Sequence, residues 1–115
     1  MTRIINKTDW TAFMQEYGSR NEGRPTRLGV FEMSTGIAND YWIEDGLPLV
    51  GLDVYLDNGS TRVDILFENY THSVDNAATL VEVDSDGADY GLDISDAERN
   101  TTVMRFENWP VKSED

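Results

Sequence analysis

Cysteine is missing from this chain of 115 residues, proline occurs three times and histidine once, at His72, and the lysines are Lys7 and Lys112 alone. Without a thiol, cysteine nucleophiles, thiolate zinc sites, cysteine-held iron–sulfur clusters and thiol redox switches are excluded. A single imidazole cannot build the two- or three-histidine sites typical of catalytic zinc or non-haem iron. Glycine loops of the Gly-x-Gly-x-x-Gly or Walker type do not occur, and the acidic Glu44-Asp45-Gly46 turn would repel a phosphate, so no cofactor is expected. Apolar runs all fall short of the roughly 20 residues that cross a bilayer. Met1-Thr2-Arg3-Ile4-Ile5-Asn6 leads into polar residues instead of a signal peptide's apolar stretch. These absences predict a soluble, cytoplasmic protein that makes no use of membranes.

What is abundant is negative charge. Nine basic residues against 22 acidic ones leave a net charge of −13. The arginines stand singly among carboxylates, whereas a nucleic-acid face needs clustered cations to displace counterions, so nucleic acid is not an expected partner. Such acidity serves solubility first. It also suits a salt-adapted organism, a surface that attracts a basic partner, or one that mimics DNA.

The clearest local pattern is Trp10, Phe13, Met14 and Tyr17, whose i, i+3, i+4, i+7 spacing marks one face of a short amphipathic helix. Asn6 or Thr8 is placed to cap it, Asp9 suits its positive end, and Gly18 offers a left-handed exit after Tyr17. Two or three turns are marginal alone in water, so this face must pack on something. Beyond it the sequence reads as strands. Residues 27–33 form a β-type run in which Gly29 marks a bulge or a close backbone approach. Leu52, Val54 and Leu56 share one face of the next clear strand, with Asp53, Tyr55 and Asp57 on the other. Asn58-Gly59 predicts a type I′ hairpin turn, after which Val63, Ile65 and Phe67 return along the core. Shorter strands follow at residues 71–74, 78–83, 90–94 and 101–106, spaced too closely for βαβ crossovers.

The fold class expected is therefore α+β: an N-terminal amphipathic helix on a six- to seven-stranded antiparallel meander, curled into a partly open barrel as the limiting case. Residues 1–109 form a single domain, Trp109 anchors its end, and residues 110–115 form a frayed tail. Residues 34–50 contain the longest stretch without a clear assignment. Tyr41-Trp42-Ile43 within it reads as a further strand covering the sheet, or as an aromatic binding patch.

Chemistry is harder to find. Thr71 and Ser73 flank His72 but point to the opposite face of a strand, and no Gly-x-Ser-x-Gly elbow supplies a nucleophile. A hydrolytic or ligand-binding reading thus requires a pocket that brings His72 together with Tyr41, Trp42, Tyr55 or Tyr70 and with a hydroxyl or carboxylate about 3 Å away. Asp84, Asp86 and Asp89 carry hard oxygens at close spacing, but Gly87 and Ser95 fall where a calcium loop needs other residues. That segment reads as an acidic hairpin turn, with a weak cation site as the alternative. The leading expectation is a non-enzymatic module that binds another protein or itself through a sheet face, a sheet edge or the acidic surface.

Four segments together carry a family likeness: Thr2-Arg3-Ile4-Ile5 ahead of Asp9-Trp10-Thr11-Ala12-Phe13, Arg24 before Arg27-Leu28, the run Leu47-Pro48-Leu49-Val50-Gly51-Leu52, and the closing Met104-Arg105-Phe106. Over residues 2–107 the chain resembles a family of short acidic bacterial proteins known as a domain of unknown function. The resemblance implies a free-standing bacterial protein and no reaction, cofactor or partner.

Overall fold

The computed structural model describes residues 1–32 and 39–107, with residues 39–45 described by their backbone. Trp109 and the tail 110–115 lie outside the described residues, as do the side chains of Tyr41 and Trp42. The elements are β1 (Thr2–Ile4), a 3-10 turn (Lys7–Asp9), α1 (Trp10–Arg20), β2 (Pro25–Glu32), β3 (Asn39–Asp57), β4 (Ser60–Phe67), β5 (Tyr70–Val74), β6 (Ala77–Ser85), β7 (Ala88–Asp96) and β8 (Thr101–Phe106). They form an α+β fold, one helix on an eight-stranded antiparallel sheet of order β1-β6-β7-β8-β2-β3-β4-β5. The described helix is too short and too polar to cross a membrane.

Eight strands replace the six or seven expected because β1 adds one, and β3 is far longer than the strand expected around residues 52–57. β1 is only three residues long and pairs with β6 some 80 positions away, Thr2 opposite Val83, so no local periodicity announces it. β3 runs through the unassigned stretch as one strand of 19 residues. Its first half pairs with β2, placing Trp42 opposite Gly29 and Tyr41 opposite Val30, and its second half pairs with β4. The change of partner falls at Pro48 and Leu49: Pro48 faces Pro25 of β2, and Leu49 faces Phe67 of β4. The register slips between Leu28 and Gly29, the bulge that Gly29 suggested.

Connectivity forces the sheet to curl. β5 and β6 are joined by Asp75 and Asn76 alone, yet six inter-strand steps separate them in the sheet. On a flat sheet those steps would span about 29 Å, and two linking residues reach roughly a third of that. The sheet therefore bends until β5 and β6 lie close across the core, without closing into a barrel. Asn76 takes the positive φ of 54° that this tight reversal needs. Asn58 and Gly59, at φ 49° and 85°, make the expected type I′ turn between β3 and β4.

The trough of the curled sheet receives the helix. Trp10, Met14 and Tyr17 are fully buried, and Phe13 packs partly buried against the same core with Leu28, Leu92, Met104 and Phe106. Tyr17 stacks between Phe13 and Phe106, with ring centroids 5.2 and 6.1 Å away, and its hydroxyl donates to the Gly91 carbonyl at 3.2 Å. The Trp10 indole N–H donates to the Ile5 carbonyl at 3.0 Å. Gly18 does not end the helix, which continues to Arg20. Its lack of a side chain instead lets α1 press on β3, where a Cβ would stand 3.1 Å from the Leu52 amide nitrogen. Neither Asn6 nor Thr8 caps the helix: Asp9 precedes it and no side chain bonds its first turn. Along β3 the inward face fades, from buried Leu52 through half-buried Val54 to Leu56, which is 75% exposed because the hairpin overruns the core.

At Gly91 the strands leave no room, since a Cβ would run into the Met104 carbonyl of β8. Gly91→Ala is expected to cost about 3 kcal/mol or more through backbone displacement, against about 1 kcal/mol for Tyr17→Phe, which loses one buried hydrogen bond. Urea unfolding monitored by circular dichroism measures both, and the order of the two midpoints checks the packing.

Candidate functional site

β5 alternates along its length, and this places the lone histidine. Tyr70, His72 and Val74 face inward with Ile65 and Val63 of β4, while Thr71 and Ser73 face out. The Ser73 hydroxyl donates to Asp64 Oδ1 at 2.7 Å on that outer side, where Arg62 also bonds the same carboxylate at 3.0 Å. Because the sheet curls, the inner face of β5 comes over β8. There His72 Nε2 lies 3.1 Å from the Thr102 hydroxyl oxygen, and Thr102 is only 5% exposed. His72 and a hydroxyl thus meet, from strands 30 positions apart in sequence.

They meet at the rim of a cavity of about 310 Å³. β2 contributes Val30 and Glu32, the end of β5 and its turn contribute His72 to Asn76, and the β7 to β8 connection contributes Asp96, Ala97, Glu98 and Asn100. Four carboxylates and no lysine or arginine line it among the described residues. Asp96 is occupied in its own turn, accepting bonds from the Glu98 and Asn100 backbone amides, both at 2.9 Å. Asp75 and Glu98 make no bond through their carboxylates to any described group and face solvent. Burial works against a charged imidazole here and outweighs the opposing pull of Asp64, so the His72 pKa is held below its ordinary value.

The remaining candidates are dispersed. Tyr70 stacks on Phe67 at 6.1 Å and belongs to the core's margin. Tyr55 sits on the outer face of the hairpin, its ring under the Arg62 guanidinium at 4.4 Å and its hydroxyl donating to Asp53 Oδ2 at 3.3 Å. Tyr55 therefore lines a separate, larger hollow of about 610 Å³, which shares only Asp75 and Asn76 with the His72 cavity. Tyr41 and Trp42 are placed by backbone register alone.

Of the three carboxylates considered for a cation, Asp84 and Asp89 are register partners across β6 and β7, but each is engaged elsewhere. The Asp84 carboxylate lies 3.6 Å from the chain's amino terminus, and Asp86 occupies the positive-φ corner of the β6 to β7 turn. Asp89 instead anchors the end of α1, accepting bonds from Arg20 Nε at 2.7 Å and Asn21 Nδ2 at 2.9 Å. Burial raises the pKa of this carboxyl, but those bonds and the two nearby guanidiniums prevail and leave it lowered. Among the described residues no set of three or more histidine, aspartate or glutamate side chains has the geometry to hold a metal ion.

Glu32, Asp75, Glu98 and Thr102 escaped the sequence reading because their meeting depends on strand order and curl, neither of which leaves a local signal. Only the acidic, glycine-free connection between β7 and β8 hinted at a special loop.

No protein-family model and no curated protein matches the chain. Among solved structures it is similar to the crystal structure of the Bacillus subtilis YojF protein, at 15% identity and a TM-score of 0.58, covering 96% of this chain and 97% of that one. At that identity the likeness is one of fold.

The depressed His72 pKa has a thermodynamic sign. Between pH 6.5 and the lower folded value, the unfolded chain binds a proton that the folded one does not, so stability is complete above pH 6.5 and falls as pH drops through that window. His72 is the sole histidine, so thermal melting between pH 7.5 and 5.5 isolates it. The midpoint is expected to fall on acidification, and His72→Gln to flatten the dependence.

Proposed function

We propose that the chain is a non-enzymatic binding domain of the cytoplasm that engages a partner protein through a positively charged segment seated at the acidic mouth around His72. The observation that carries this reading is the cavity itself, lined by four carboxylates and no cation among the described residues. Two of those carboxylates, Asp75 and Glu98, are left to solvent in the free protein, where a cationic group can meet them at little desolvation cost. A net charge of −13 adds long-range attraction for such a partner and repels nucleic acid. The resemblance to a family of short acidic bacterial proteins accords with this reading and supplies no catalytic residue to set against it.

A second reading, hydrolysis by a His72–Thr102 pair, is favoured by the 3.1 Å approach of imidazole and hydroxyl. It ranks lower because Thr102 is almost wholly buried and no carboxylate bonds the other ring nitrogen among the described residues, so the third member that orients such a base is lacking.

Titration calorimetry with a hexalysine peptide at low salt tests the first reading. Saturable one-to-one binding is expected, weakened about five- to tenfold by the pair Asp75→Asn and Glu98→Gln, the sum of two exposed ion pairs. The pair Glu22→Gln and Asp86→Asn removes the same charge from exposed positions that do not line the mouth and is expected to leave affinity unchanged. Equal weakening by both pairs would reduce the mouth to general acidity. Cleavage of p-nitrophenyl acetate by the wild type and not by His72→Gln would favour hydrolysis.

A further inference from the structure

We propose that β5 is a docking edge: an extended segment of a partner protein, bearing lysine or arginine at alternate positions, adds to it as a ninth strand and places those cations over the His72 cavity. This rests on the reading of the acidic mouth given above and deepens it by naming the form of the partner.

Three observations support it. First, β5 is the terminal strand of the sheet, bonded to β4 on one side only. Phe67 and Tyr70 flank a two-residue turn and close the hairpin as a hydrogen-bonded pair, so Ile65 with His72 and Val63 with Val74 are bonded pairs too. The amides and carbonyls of Thr71 and Ser73 then point away from β4, and neither residue has a backbone partner among the described residues. Second, β5 carries none of the side chains that usually protect an edge. Its sequence Tyr70-Thr71-His72-Ser73-Val74 contains no carboxylate, lysine, arginine or proline in a chain where more than a quarter of residues are charged. The opposite edge, β1, is three residues long and carries Arg3. Third, the cavity runs along this same edge, being lined by His72, Ser73, Val74 and Asp75.

Strand addition supplies main-chain bonds, and side chains at alternate positions of the added strand fall on one face of the sheet. On the inner side of β5 that face meets Asp75 and Glu98. Charge selects the occupant. A second copy of this chain would bring another −13 to the edge, whereas a basic segment neutralises it.

The test uses an acetylated, amidated heptapeptide of alternating valine and lysine, with a version N-methylated at every second amide so that charge is kept and one edge of bonds is lost. Calorimetry against the intact protein is expected to show binding of the first peptide and at least about tenfold weaker binding of the second. Thr71→Pro removes one outward amide where a strand tolerates proline, and is expected to weaken binding to the same degree while circular dichroism and the melting midpoint confirm the fold. Thr71→Val, which keeps the amide, should bind as the wild type does. Equal affinity for both peptides would overturn strand addition and leave the acidic mouth standing. Failure to bind the heptapeptide, with hexalysine still bound, would do the same; failure with both would remove the mouth as well. A dimer of the free protein that Thr71→Pro dissociates would assign the edge to a second copy and contradict the proposal.

Discussion

The phenol of Tyr17, wholly buried between Phe13 and Phe106 and bonded through its hydroxyl to the Gly91 carbonyl, ties the helix to the middle of β7. A helix of 11 residues cannot hold itself together in water, and a sheet this strongly curved cannot leave its concave side wet. Each supplies what the other lacks. Burying side chains as large as Trp10, Met14 and Tyr17 stabilises the union by roughly 1.5–3 kcal/mol apiece. The same seating fixes the sheet's curvature, because α1 fills the trough that a flatter sheet would open.

Curvature in turn creates the mouth. The two-residue step from β5 to β6 draws the far end of the sheet over β8, which sets His72 on Thr102 and gathers Glu32, Asp75, Asp96 and Glu98 around them. Because the sheet stops short of closing, β5 keeps a side that no described residue pairs, next to that acidic hollow. A closed barrel of the same strands would have neither an edge nor a mouth. The polar contacts at the other end are structural: Arg20 and Asn21 bond Asp89 and lock the exit of α1 to β7.

How much of this was legible in the residues follows from the range of each interaction. The ring face of α1 and the Asn58-Gly59 hairpin were readable because their causes are local, a periodicity in one case and a backbone conformation in the other. β1 was not, since three residues gain strand geometry only from β6, a partner at the far end of the chain. β3 was legible only around residues 52–57, since Gly46 and Pro48 ordinarily punctuate strands. Here Gly46 takes a φ of 86° in the course of the strand, and Pro48 falls where β3 leaves β2 for β4, so both residues sit at irregularities and do not end the strand. The segment holding Asp84, Asp86 and Asp89 was read first as an acidic hairpin turn, and Asp86 does take the positive φ of that turn, but the arginine that bonds Asp89 lies too far off in sequence to be read beside it. The single histidine was read on the strand face opposite Thr71 and Ser73, which is where it lies, but which face is inward and its neighbour there, Thr102, depended on the curl.

The account stands on a sheet that is curved by its helix but left unclosed at β5. Residue-resolved amide hydrogen exchange on the free protein reads this directly, because outward amides of an edge strand exchange without the opening that inward ones require. The Thr71 and Ser73 amides are expected to exchange at close to unprotected rates while His72, between them, is protected along with Ile65. Protection of Thr71 and Ser73 as strong as that of His72 would mean that the edge is already covered, and would contradict the account.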